Sequence, residues 1–116
     1  MNNFLHQIGN IIQGTSLESV LDQAFYKVVG PRDVNTTVGN YTGTFAAHSS
    51  REYHGVRSLD GEKQITETFL SLLSKNDVAW DVGANVGWHA VLMGQVAPTI
   101  AFEPNPRSFL KLHQNI

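Results

Sequence analysis

The stretch 78–106 constrains this chain more than any other part of it. It reads Val78-Ala79-Trp80-Asp81-Val82-Gly83-Ala84-Asn85-Val86-Gly87, then a short apolar segment, then Thr99-Ile100-Ala101-Phe102-Glu103-Pro104. A short apolar run that ends in an acid and a glycine-containing turn is how a buried parallel strand reads when it feeds a helix. Residues 87–97 are the helix candidate. Residues 99–102 are a second apolar run that also ends in an acid. Strand, tight turn, helix, strand and acid make one half of a nucleotide-binding α/β unit.

The spacing carries the chemistry. Glu103 stands 20 residues beyond Gly83, and the ribose-binding acid of such units lies ~20 residues beyond the glycine turn. A carboxylate at the tip of the second strand can accept hydrogen bonds from both hydroxyls of a ribose. Glycine lacks Cβ and tolerates positive φ, so the turn from Gly83 to Gly87 lets the backbone approach a ligand closely. Asn85 sits in its middle, and Asn is the other residue that best tolerates left-handed φ. The turn is not G-x-G-x-x-G, which weakens a dinucleotide reading. No Lys-Ser/Thr pair follows it, which excludes a Walker-type phosphate loop.

The pattern acid-x-Gly-x-Asn-x-Gly, with Asp81 as the acid, resembles the first motif of class I methyltransferases that use S-adenosylmethionine. Together with Ala101-Phe102-Glu103-Pro104 it resembles the FkbM family in particular, over about residues 67–116. The resemblance implies a Rossmann-like α/β fold and S-adenosyl-L-methionine as cofactor. It implies that Asp81, Gly83, Asn85 and Gly87 surround the methionine part and that Glu103 holds the ribose. The candidate cofactor-binding set is Asp81, Gly83, Ala84, Asn85, Gly87, Glu103 and Pro104; no residue is assigned as catalytic and no metal ligand is expected. The family leans toward oxygen acceptors on sugars or small metabolites. It also implies further strands, whose tips contact the adenine and flank the transferred methyl. The expectation is therefore the N-terminal part of a methyltransferase: a fragment, a truncated product or half of a split protein, inactive alone.

Composition narrows the rest. A chain of 116 residues allows one small domain, read here as an N-terminal segment, residues 1–61, and the start of the cofactor domain, residues 62–116. Hydrophobic content of 41% suffices for a core, and the net charge is −2 with scattered Lys and Arg. Nothing indicates a nucleic-acid patch or a polybasic membrane anchor. There is no cysteine, hence no disulfide framework. No apolar run approaches the ~20 residues of a membrane helix and no signal peptide is evident, so a cytoplasmic location is expected. His6, His48, His54 and His113 show no metal-ligand spacing.

Along the chain, Phe4, Leu5, Ile8, Ile11 and Ile12 recur at helical spacing. A second helix starts at the Thr15/Glu18 capping-box pair. Its apolar face of Leu17, Val20, Leu21, Ala24, Phe25, Val28 and Val29 is expected to cover a sheet, and Gly30-Pro31 ends it. Residues 34–38 and 41–47 flank Gly39-Asn40 as a hairpin. Residues 48–60, with Arg51, Glu52, His54 and Arg57, read as a polar loop, either solvated or facing substrate. Residues 62–74 form a third helix with an apolar stripe of Ile65, Phe69, Leu72 and Leu73 and with Asp60 as its cap. Glu67 on that helix is a candidate pocket residue. Trp88 is core or pocket wall. His89 can reach a ligand carboxylate or act as a base, although an ordinary helix histidine explains it more simply. Pro106 suits the first turn of a last helix.

Two parallel strands leave both sheet edges unpaired, so self-association or a missing C-terminal half is expected. Two other functions compete with methyl transfer: a non-catalytic cofactor-binding module, and a nicotinamide-dependent α/β oxidoreductase, against which Asn85 argues. A purely structural role is a third.

Overall fold

The computed structural model describes residues 16–116, and Asp60 by its backbone alone. The first helical segment expected, residues 4–12, and Thr15 lie outside the described residues.

Helix α1 (Ser16–Val29) ends at Gly30, whose φ of +83° stops it before Pro31. The hairpin follows as β1 (Arg32–Val38) and β2 (Tyr41–Ala47), antiparallel from Arg32↔Ala47 to Val38↔Tyr41. Its two-residue turn has positive φ at Gly39 and not at Asn40, the sign pattern of a type II′ turn. Val34, Thr36, Val38, Gly43, Phe45 and Ala47 face inward in strict alternation. Thr37 and Thr42 bond across the outer face at 2.8 Å.

The expected polar loop is instead helix α2 (Ser50–Ser58). Ser49 is its N-cap and accepts from Glu52 N–H at 3.1 Å, while Glu52 Oε2 accepts from His48 N–H at 2.8 Å. The two bonds make a variant of the capping box in which Glu52 reaches the amide one residue before the cap, and it starts a helix even in a polar segment. The buried Thr36 hydroxyl donates to the Val56 carbonyl at 2.6 Å and fastens α2 to β1. A 3-10 turn (Leu59–Gly61) leads to α3 (Lys63–Leu72).

Two expectations fail on α3. Its N-cap is Glu62, without a side-chain cap bond, so Asp60 is not the cap. Its buried residues are Thr66 and Leu70, while Ile65, Phe69 and Leu72 are exposed. Leu70 is drawn inward because it meets Val38, Leu59 and Leu92 in one cluster. A comparable correction applies to α1. Its apolar face covers no sheet: Leu17, Val20, Leu21, Phe25 and Val28 are exposed. The helix is held from its other side, by buried Tyr26 and by Asp22, which accepts from Ser50 N–H and Oγ.

Strands β3 (Ala79–Val82) and β4 (Thr99–Phe102) pair in parallel, Ala79↔Thr99 to Val82↔Phe102. Between them runs α4 (Trp88–Met93), shorter than the segment anticipated for it. The last helix, α5 (Pro106–Asn115), has Asn105 as N-cap, accepting from Arg107 N–H at 3.0 Å, with Pro106 in its first turn. The described residues are thus mixed α/β with two separate two-stranded sheets.

Helix α4 lies between them. Leu92 packs in the cluster with Val38, Leu59 and Leu70, and Ala90 packs with Ala84 and Leu112. Trp88 and Val91 lean on the cluster of Val34, Phe45, Ala47 and Val56. The inner face of the parallel pair, with Ala79 and Ala101, is therefore covered. Its outer face is bare: Trp80, Val82, Ile100 and Phe102 are exposed, and the rings of Trp80 and Phe102 lie 5.5 Å apart. No helix among the described residues is long and apolar enough to cross a membrane.

Candidate functional site

The two strand tips converge on one turn. Phe102 is the last residue of β4, and its carbonyl accepts from Gly83 N–H at 2.9 Å and Ala84 N–H at 3.0 Å. The turn after β3 is thereby tied to the end of β4. Three residues of the turn have positive φ: Gly83 at +86°, Asn85 at +51° and Gly87 at +94°. At Gly83 an added Cβ would meet no atom within 4 Å, so the space above it is open. At Gly87 an added Cβ would stand 2.7 Å from Leu112 Cδ1, so there the missing side chain makes room for α5. Ala84 is buried beside Ala90 and Leu112.

Glu103 joins this turn directly. Its Oε2 accepts from Asn85 N–H and its Oε1 from Asn105 N–H, both at 2.7 Å. Asn105 was not foreseen as a brace, although its place two residues beyond Glu103 is the available signal. Pro104, between them, is exposed. Asn115 secures the far side of the turn, donating to the Val86 carbonyl at 2.7 Å and accepting from Ala46 N–H at 2.9 Å.

Asp81, on the covered face of β3, is half-buried. Burial pushes its carboxyl above the usual carboxylate range, against the opposing pull of the His89 charge and of the Ala90 backbone amide. His89 Nε2 lies 3.5 Å from Glu62 Oε2, and its ring meets Phe69 edge-on. Among the described residues, the buried side-chain polar atoms without a hydrogen-bond partner are Asp81 Oδ2, Trp88 Nε1 and His89 Nε2. All three belong to the end of β3 and the first turn of α4. Buried polar groups are ordinarily satisfied, so these three call for a partner from outside the chain, water or ligand.

The structure brings Gly83, Asn85 and Glu103 together and sets Glu62 and His89 in a cleft with the turn, whereas Asp81 lines a neighbouring cleft with His89, Phe69 and Leu72. Glu62 was not anticipated, since nothing local to it in the sequence points to the turn. Glu67 does not join them: it lines a separate cleft with Gly39, Asn40 and Tyr41 at the hairpin end.

No protein-family model matches the chain. No solved structure matches it either. Among curated proteins it is similar to the hexuronic acid methyltransferase AglP of Haloferax volcanii, with 38% identity over 78 residues. Those residues are 67% of this chain and 33% of that protein, so the chain spans about a third of the length of the curated relative it matches. The similarity supports kinship with a methyltransferase.

Proposed function

We propose that residues 62–116 are the opening part of an S-adenosylmethionine-dependent methyltransferase of FkbM type, with a Rossmann-like sheet. In this reading residues 1–61 precede the cofactor domain, and the acceptor is an oxygen of a sugar or small metabolite. The observation that carries it is the bond from Asn85 N–H to Glu103, which unites glycine turn and acid at the tips of two parallel strands. The relative's name adds an acidic sugar as the acceptor class.

The residues fit the cofactor. Asp81 Oδ2 is a buried acceptor without a partner, suited to a positively charged group. Space is open above Gly83, where a ligand can approach the backbone. Each carboxylate oxygen of Glu103 has two lone pairs and gives one to a backbone amide, leaving acceptors for the two ribose hydroxyls. Asn85 and Gly87 hold the turn in the shape that this contact needs. When bound, S-adenosylmethionine supplies a methyl group activated on a sulfonium. The part of this chain is to hold and orient, and alignment of two reactants accounts for several kcal/mol of barrier lowering. His89 stands near both carboxylates, its Nε2 3.5 Å from Glu62 Oε2 and its charge acting on Asp81.

The bare face of the parallel pair is proposed to lie against further chain in the complete protein, because parallel sheets are covered on both faces. Methyl transfer is proposed for that covered form.

Calorimetric titration tests the reading. S-adenosylhomocysteine is expected to bind and NAD is not. Asp81→Ala and Glu103→Ala should each weaken binding by about tenfold or more, the loss of ~1.4 kcal/mol or more that a charged hydrogen bond represents. Preference for NAD, or indifference to both substitutions, would overturn it.

A further inference from the structure

The glycine turn separates two clefts of opposite character, and Asn85 and Trp88 stand in the walls of both. One, of about 230 Å³, takes in Glu62 and His89. The other, of about 300 Å³, takes in Ser49, Arg51, Ser108 and Lys111. Apart from the shared Asn85, the cofactor reading makes no use of the second.

Glu52 also lines this second cleft, but both of its oxygens are committed: one accepts from His48 N–H, the other from the Lys111 ammonium. That ion pair holds Lys111 in the wall and leaves two of its three N–H donors over. Arg51 is exposed and pairs with no carboxylate among the described residues. The Glu52–Lys111 pair is net neutral, so the cleft offers the free guanidinium of Arg51 as its net positive charge, with the two spare N–H donors of Lys111 and two serine hydroxyls beside it. A planar guanidinium fork matches a carboxylate, and hydroxyls match the oxygens of a sugar ring.

We propose that this cleft is the acceptor subsite and binds the carboxylate of an acidic sugar, with Arg51 as its main ligand and Lys111 beside it. The role as an acceptor site rests on the methyltransferase reading; the binding of the sugar acid does not. The adjacency fits, because Asn85 is shared: the acidic cleft lies on one side of the turn and the basic cleft on the other.

The test is an amide-resolved NMR titration of the chain with sodium glucuronate, and with glucose, acetate and S-adenosylhomocysteine in parallel. Glucuronate should shift the Arg51, Asn85 and Ser108 amides saturably, and glucose should not. Arg51→Gln, which removes no ion pair of the fold, should weaken glucuronate by about tenfold or more and leave S-adenosylhomocysteine unchanged. Lys111→Gln should weaken it too. Glucuronate binding that ignores both substitutions, or is absent while S-adenosylhomocysteine binds, overturns the subsite and spares the cofactor reading. Acetate binding as well as glucuronate overturns the sugar assignment. Arg51-dependent glucuronate binding with no S-adenosylhomocysteine binding supports the subsite's chemistry and overturns the cofactor reading instead.

Discussion

Glu103 and Asn85, 18 residues apart in sequence, meet through a hydrogen bond of 2.7 Å from the Asn85 backbone N–H to the side-chain Oε2 of Glu103. A residue with φ of +51° is thereby stabilised by the same acid that is proposed to hold the ribose. Glu103→Gln keeps an acceptor for only one of the two amides that Glu103 serves. It should cost about 1 kcal/mol of stability, because the bonds are exposed, and more in cofactor affinity than in stability. Chemical denaturation alongside calorimetry would separate the two.

The Asp81 carboxyl carries a raised pKa, so the folded state binds its proton more tightly than the unfolded chain does. Its ionisation weakens the fold as pH rises from the ordinary value of 3.8 through the raised one, and the loss is complete above that. Asp81→Asn should therefore raise the melting temperature at pH 7 while impairing ligand binding. The gain should shrink as pH falls through the raised pKa toward 3.8. Melting curves of both proteins across that range check the sign.

Gly83 and Gly87 share a positive φ but differ in surroundings. Gly83→Ala meets open space and should cost only the left-handed backbone penalty, about 1–2 kcal/mol. Gly87→Ala adds a clash with Leu112 and should cost about 1–3 kcal/mol more. Urea unfolding of the pair, and of Gly87→Ala with Leu112→Ala, should show the clash relieved and the backbone cost retained.

How much was legible follows from which forces are local. The two strands, the turn and the last helix could be read because β-propensity, glycine spacing and the Pro106 start act within a few residues. The hairpin could be read for the same reason. Helix α2 escaped because its segment is polar, although the Ser49/Glu52 box was present in the sequence. The stripe of α3 was misjudged because periodicity finds an apolar face but not the partner. Leu70 is buried by Val38 and Leu92, residues far away in the chain. The basic cleft was invisible for the same reason: Glu52 and Lys111 are 59 residues apart.

Glu52 consequently joins a helix cap to a tertiary contact. Glu52→Ala should lower stability by about 1–3 kcal/mol through loss of the capping box and the partner of Lys111. Glu52→Gln should cost less. Far-UV dichroism and thermal melts would show helix loss with the first and little with the second.

The most direct measurement is a crystal structure of the chain with S-adenosylhomocysteine. The account predicts ribose hydroxyls within hydrogen-bond distance of the Glu103 carboxylate and the amino group of the ligand on the Asp81 side of the Gly83 turn. A ligand seated elsewhere, with Glu103 still bonded only to the Asn85 and Asn105 amides, would contradict it.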